Sequence, residues 1–194
     1  MDEIQHINPC TGKPQATVMI GGYKEIDMAA REALQAQKIW IGIPANERRD
    51  KLFGLCALVK QHKQEFVSLS ALESGIPVKT GSLLLDSFLD WGSYFAGWAD
   101  KIQGVTVEIF PVMGFDYTRM EPYKVIGVII LLLLYGLVIA LDAGLPPGLI
   151  NVIPGEAEAG SALIKHPDIG KVTYTGGGEV ARKIMILAAE VLNH

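Results

Sequence analysis

From Tyr23 to Trp40, apolar residues return every three or four positions, at Ile26, Ala29, Ala30, Ala33, Leu34 and Ala36, with charged residues between them. That period predicts a helix with one buried stripe. Pro44 and Ala45 open a second helix, with Leu52, Leu55, Cys56, Leu58 and Val59 inward and Glu47, Arg48, Arg49, Asp50 and Lys51 mostly outward. A third helix is predicted over about Lys63 to Glu73, closed by Gly75 and Pro77. A fourth, over about Ser82 to Ile102, carries Leu84, Leu85, Phe88, Leu89, Trp91, Tyr94, Phe95 and Trp98. It is too apolar to stand alone, and core packing against a sheet or another subunit is its expected role rather than a ligand box. After Gly104 the alternation Val105, Val107, Ile109 predicts a short strand.

From Lys124 onward the rhythm changes to strand and helix in turn. Strands are predicted to Ile130, at Leu149 to Ile153 and at Lys171 to Tyr174; helices run to Asp142, from Ala157 to Lys165 and from Glu179 to Leu192. Such alternation implies an α/β fold with a parallel sheet covered by helices. The run Val125 to Leu141 contains no charged residue and reaches the lower edge of the membrane-spanning range. Gly127, Tyr135 and Gly136 interrupt it, and Lys124 and Asp142 flank it singly without a basic cluster. A buried parallel strand joined to a packed helix is the main reading, since such strands are continuous Val/Ile/Leu runs; a membrane segment is the minority one.

Composition narrows the classes further. The 194 residues are 49% hydrophobic and 20% charged, which suits one domain with a real core, or one domain plus a helical extension. A net charge of −4 without a Lys/Arg cluster argues against nucleic acid and for a small-molecule or protein partner. Cys10 and Cys56 show neither metal-site pairs nor the density of a disulfide scaffold. With Asp2 and Glu3 in place of a basic signal segment, a reduced, cytoplasmic setting is expected. His6, His62, His166 and His194 have no metal-ligand spacing, so no metal site is expected. His166, before Pro167 and Asp168, is expected to be a solvated loop residue. Cys56, beside Leu55 and Leu58, is expected to be a small buried hydrophobe rather than a thiolate nucleophile.

The one local motif with chemistry is Gly176, Gly177, Gly178, Glu179, Val180, Ala181, which satisfies G-x-G-x-x-A between a predicted strand and a predicted helix. Glycines there let the backbone approach a pyrophosphate, and the helix start offers free N–H groups and a positive dipole end. Glu179 suits that dipole as a first-turn acid in any case.

Three ordered blocks carry a family resemblance. They are Tyr117, Thr118, Arg119, Glu121, Pro122 leading into Val125–Ile130; Ala143, Gly144, Leu145, Pro146, Pro147, Gly148; and Tyr174, Thr175, Gly176. With Asn8, Pro9, Thr11, Gly12 and the block from Tyr94 through Gly97, Trp98, Ala99, Asp100 and Lys101 to Gly104, nearly the whole chain resembles the NAD(P)-dependent aldehyde dehydrogenase superfamily. The resemblance implies N-terminal helices plus a shortened Rossmann-like parallel sheet covered by helices, with a β assembly arm. It divides one incomplete NAD-binding domain into a helical part at 1–104, the arm at 105–123 and βα units at 124–194. The implied cofactor is NAD or NADP, held by Gly155, Gly176, Gly177, Gly178, Glu179 and Val180. Gly177 stands where the family turn has a serine on the pyrophosphate, and Glu156 and Glu158 put negative charge in a second family turn around Gly155.

The family reaction oxidises an aldehyde to a carboxylic acid through a cysteine-bound intermediate and hydride transfer to NAD(P)+. The resemblance also implies a piece missing after Ile130, where the family has a Pro-Trp-Asn turn and a Lys-Pro strand, and the sequence stops before the family's general-base Glu and nucleophilic Cys. No catalytic residue is therefore assigned. With a strand lost, the sheet is expected to hold three parallel strands and an exposed edge. Three readings stay open: a nucleotide-binding fragment, an assembly partner of itself or of a full-length aldehyde dehydrogenase subunit, and, as the minority, a membrane-associated protein.

Overall fold

The computed structural model describes residues 2–109, 114–130 and 142–191. It opens on an antiparallel hairpin, β1 (Asp2–Ile7) and β2 (Pro14–Ile20), where the sequence reading placed the helical part. The hairpin was hidden because β2 is exposed along most of its length, so neither strand shows an apolar-in, polar-out alternation. Its turn is built by Asn8, whose Oδ1 accepts the N–H groups of Cys10 and Thr11 at 2.9 and 3.0 Å.

Four helices follow: α1 (Tyr23–Gly42), α2 (Ala45–Gln61), α3 (Lys63–Ser74) and α4 (Val78–Trp98). The Glu25 carboxylate accepts the Gly22 N–H at 2.8 Å and so caps α1; that bond holds the Glu25 pKa below its ordinary value. Helix α3 ends on Gly75 in the left-handed conformation, φ 70°. Its last carbonyls are also claimed by the hairpin: Gln15 Nε2 donates to Leu72 O at 2.8 Å, and His6 Nε2 bonds Glu73 O at 3.1 Å. The hairpin is thus latched to α3 by polar bonds.

Val59, Phe66 and Leu89 form the core of α2, α3 and α4, with Leu55, Cys56, Leu58 and Leu85 packed around it. Cys56 belongs to this core as expected, its Sγ lying against the space beside Gly92. The aromatic residues of α4 do not. Trp91, Tyr94, Phe95 and Trp98 are all exposed and stack on one another, with Trp91 and Phe95 centroids 6.0 Å apart. One helix cannot turn both its Leu85/Leu89 stripe and its aromatic stripe toward the same partner, so the aromatic face is left outside.

The chain next forms a short antiparallel pair, β3 (Thr106–Val107) and β4 (Asp116–Tyr117). Gly104 is required at its base, since a Cβ there would lie 1.7 Å from Thr118 O. Beyond it come β5 (Val125–Ile129), α5 (Ala157–Lys165), β6 (Ile169–Tyr174) and α6 (Gly178–Val191). Strands β5 and β6 are parallel, with Val125 opposite Ile169, a one-residue irregularity at Gly170, and continuous register from Ile126 opposite Lys171 to Ile129 opposite Tyr174. Helix α5 packs between this pair and α1, burying Ala159 and Ala162 against Ile26, with Ile153 and Leu163 beside them.

Two expectations need correction. Leu149–Ile153 is not a strand: the stretch leaves Gly148 at φ 79° and makes no ladder, so the parallel sheet has two strands among the described residues rather than three. His166 is not solvated; it is 5% exposed and bonded on both ring nitrogens. The helix expected up to Asp142 lies, for residues 131–141, outside the described residues. Among the described residues no helix is long and apolar enough to cross a membrane, and the described start of the apolar run is strand β5.

Candidate functional site

Parallel strands leave their ligand-bearing turns at the carboxyl edge of the sheet. Here that edge is where β5 and β6 end together, tied by the Thr175 N–H donating to Ile129 O at 3.1 Å. Helix α6 begins just after β6, and α5, which runs back into β6, begins at the same edge. The topology therefore gathers Gly155 and the stretch Gly176–Val180 on one side of the sheet.

The second turn has the properties of an anion cradle. The first intrahelical bond of α6 runs from Ala181 N–H to Gly177 O at 3.1 Å, which leaves the N–H groups of Gly178, Glu179 and Val180 ahead of the ladder. A Cβ on Gly177 or on Gly178 would meet nothing within 4 Å. The approach to those N–H groups is open, and the positive end of the α6 dipole faces the same space. Glu179 is turned to Lys183, one helical turn on, at 3.1 Å. Val180 is about half exposed on the same turn.

Tyr174 was missed by the sequence reading as part of this turn. Its hydroxyl donates to Gly177 O at 3.1 Å, and its ring lies so close over Gly176 that a Cβ there would sit 2.2 Å from Tyr174 Oη. A tyrosine just before a glycine run at a strand end was the available signal.

Gly155 plays a different part. A Cβ at Gly155 would lie 2.4 Å from Ala159 Cβ and 3.2 Å from Gly21 O, so this glycine lets α5 close onto the start of α1. The contact is secured by the Gly21 N–H donating to Pro154 O at 2.8 Å. Glu158 turns toward α1 as well, its Oε1 3.0 Å from the space beside Gly22. The close neighbours of Gly155 are thus Gly21, just before α1, and Ala159 in α5, and those of Gly176 are in β6. Gly155 also borders a cavity of about 760 Å³ with Ile130, Val152 and Ile153. Among the described residues no cluster of three or more His, Cys, Asp or Glu could hold a metal ion.

The family model for the aldehyde dehydrogenase family matches residues 1–131 and 130–194, which is the whole chain in two segments. The chain belongs to the aldehyde dehydrogenase family. It is 33% identical over 221 positions to the mitochondrial aldehyde dehydrogenase of Equus caballus, covering 94% of this chain and 44% of that protein. To the mitochondrial aldehyde dehydrogenase of Homo sapiens it is 32% identical, covering 94% of this chain and 42% of that protein. The fold superposes on an NAD+ complex of aldehyde dehydrogenase from Bacillus cereus with a TM-score of 0.91 and 29% identity, over 100% of this chain and 46% of that one. The chain thus spans under half the length of the aldehyde dehydrogenases it matches. Its alignment with the horse protein has more positions than the chain has residues, and the two family-model segments meet at residues 130–131. The aldehyde dehydrogenase pattern is therefore broken where β5 ends, the place at which the resemblance implied a missing piece.

Proposed function

We propose that this chain is a nucleotide-binding portion of an aldehyde dehydrogenase-family protein, working in the cytoplasm, which holds NAD or NADP at the carboxyl edge of β5 and β6 and turns over no aldehyde alone. The observation that carries the reading is the uncrowded Gly177–Gly178 turn feeding the unspent N–H groups of α6. A dinucleotide pyrophosphate fits such a turn, because its oxygens need donors at close backbone approach. The relative from Bacillus cereus was solved as an NAD+ complex, which supports the same ligand class. When bound, the nicotinamide supplies a hydride acceptor. This chain's own residues bind and orient: Gly178, Glu179 and Val180 donate through their backbones, while Tyr174 steadies Gly177 O.

Catalytic partners are a different matter. Cys56 is in the α2–α4 core and Cys10 in the β1–β2 turn, and the Asn151 amide is spent on Ala29 O and Gly148 O at 3.3 and 2.7 Å. None of the three belongs to the turn at the sheet edge.

Excess NAD+ is expected to raise the melting midpoint of the purified chain, because a ligand bound only by the folded state stabilises it. Gly177→Asp separates site from scaffold. Aspartate is at least as good as glycine at an N-cap, and its Cβ meets nothing, so the ligand-free midpoint should hold while the NAD+ shift disappears. A wild-type midpoint indifferent to both NAD+ and NADP+ sinks the reading, and aldehyde-dependent NADH formation above a contaminant control sinks its catalytic half.

A second reading, assembly with itself or with a full-length aldehyde dehydrogenase subunit, is favoured by the exposed row Trp91, Tyr94, Phe95 and Trp98. Replacing Trp91 and Phe95 by Gln should then abolish co-elution with such a subunit on a sizing column and leave the melting midpoint nearly unchanged. Co-elution that survives the double substitution counts against this surface.

A further inference from the structure

Three glycines in a row, Gly176, Gly177 and Gly178, join β6 to α6, and the backbone conformation requires none of them, since none has a positive φ. A Cβ on Gly177 or Gly178 would also meet nothing within 4 Å. Glycine therefore keeps the approach open, but it gives the chain its greatest freedom at the place where a backbone donor has to be aimed. Something other than the glycines must hold the turn still.

The hold acts on one carbonyl. Gly177 O accepts the Ala181 N–H of the helix at 3.1 Å and the Tyr174 hydroxyl, from the end of β6, at 3.1 Å. A peptide unit is a rigid plate with its C=O and N–H on opposite sides. Two donors that fix Gly177 O on the helix side thus turn the Gly178 N–H the other way, into the open space ahead of α6. The bond from Ala181 belongs to the first turn of a helix, where ends fray. The phenol adds a hold that comes from the sheet.

Gly176 is what admits the phenol. A Cβ there would lie 2.2 Å from Tyr174 Oη and 2.6 Å from Cζ, so any side chain at 176 pushes the ring off Gly177 O.

We propose that Tyr174 is a positioning residue, which acts through Gly177 O to aim the Gly178 N–H at the pyrophosphate, and that position 176 is glycine to house its ring. The inference rests on the dinucleotide reading above and divides the glycines of the turn by role: Gly176 serves the tyrosine, while Gly177 and Gly178 serve the ligand.

The test is calorimetric titration of the full chain with NAD+, in the wild type, Tyr174→Phe, Gly176→Ala and the double variant. Tyr174→Phe keeps the ring and loses only the hydroxyl. Its affinity for NAD+ should fall roughly three- to tenfold, the worth of one hydrogen bond. Its ligand-free midpoint should stay within about 2 °C of the wild type, and amide exchange at Ala181 should quicken without ligand. Gly176→Ala should also bind NAD+ more weakly, and the double variant no more weakly than Gly176→Ala alone, because both substitutions remove the same bond. Losses that multiply in the double variant overturn the proposal. Wild-type affinity in Tyr174→Phe overturns it too and leaves the dinucleotide reading standing, whereas a wild-type chain that binds neither NAD+ nor NADP+ overturns both.

Discussion

Gly155→Ala is expected to lower the melting midpoint of the chain by several degrees. The added methyl would sit 2.4 Å from Ala159 Cβ, which has no rotamer to escape through, and 3.2 Å from the Gly21 backbone oxygen. Either the turn at Gly155 or the first turn of α5 must shift, which disturbs the approach to Gly21 and the seat of Ala159 in the cluster with Ile26 and Ala162. Overpacking of this kind costs about 1–3 kcal/mol, and for a chain of this size each kcal/mol is worth about 2–4 °C. The double variant Gly155→Ala, Ala159→Gly removes the clashing methyl and should recover part of the loss, less about 1 kcal/mol for a glycine inside a helix. If Gly155 served only a cofactor, the single variant would melt like the wild type and lose only its NAD+ response. An unchanged midpoint would thus remove the packing role argued from the geometry.

That distinction could not be drawn from the sequence. A glycine in a turn before a helix reads the same whether a ligand or another helix comes close, because the partner across the gap, Gly21, is far away in the chain. Local patterns were legible where one element explains itself. The stripe of α1, the glycine stop of α3 and the alternation of β6, α5 and α6 all follow from periods and breakers within a dozen residues. The Gly176–Val180 turn was legible for the same reason, since strand, turn and helix are consecutive.

What stayed hidden depends on partners. The hairpin β1–β2 has no buried face and is held by Gln15 and His6 reaching the end of α3, a bond pattern without a period. Leu149–Ile153 has a strand's residues but no strand beside it, and pairing rather than propensity decides whether a strand forms. The aromatic residues of α4 look like core residues because aromatic residues usually are, and only the position of α2 and α3 shows which stripe is covered.

His166→Ala is expected to be the other large loss, at a position where sequence suggested an indifferent loop residue. The Asp168 N–H donates to His166 Nδ1 at 3.1 Å, which leaves the ring proton on Nε2, where it is donated to Asp27 Oδ1 at 3.2 Å. One buried ring thus ties the turn before β6 to α1. Alanine removes both the acceptor of the part-buried Asp168 N–H and the tie to Asp27, at a cost of about 1–3 kcal/mol. Asparagine should do better, because its side-chain oxygen can take the place of Nδ1 although its amide falls short of Asp27.

Acid gives an independent readout. The hydrogen bond from His166, followed by the Arg31 guanidinium at 3.1 Å, holds the Asp27 carboxyl below its ordinary value of 3.8. The stability this contributes is complete above the unfolded value and is lost as pH falls through the lower folded one. Wild-type protein should therefore lose midpoint more steeply below about pH 4 than His166→Ala, which has already given up the larger cause of the shift. Equal steepness of the two midpoint curves below about pH 4 would show that the bond to Asp27 contributes nothing.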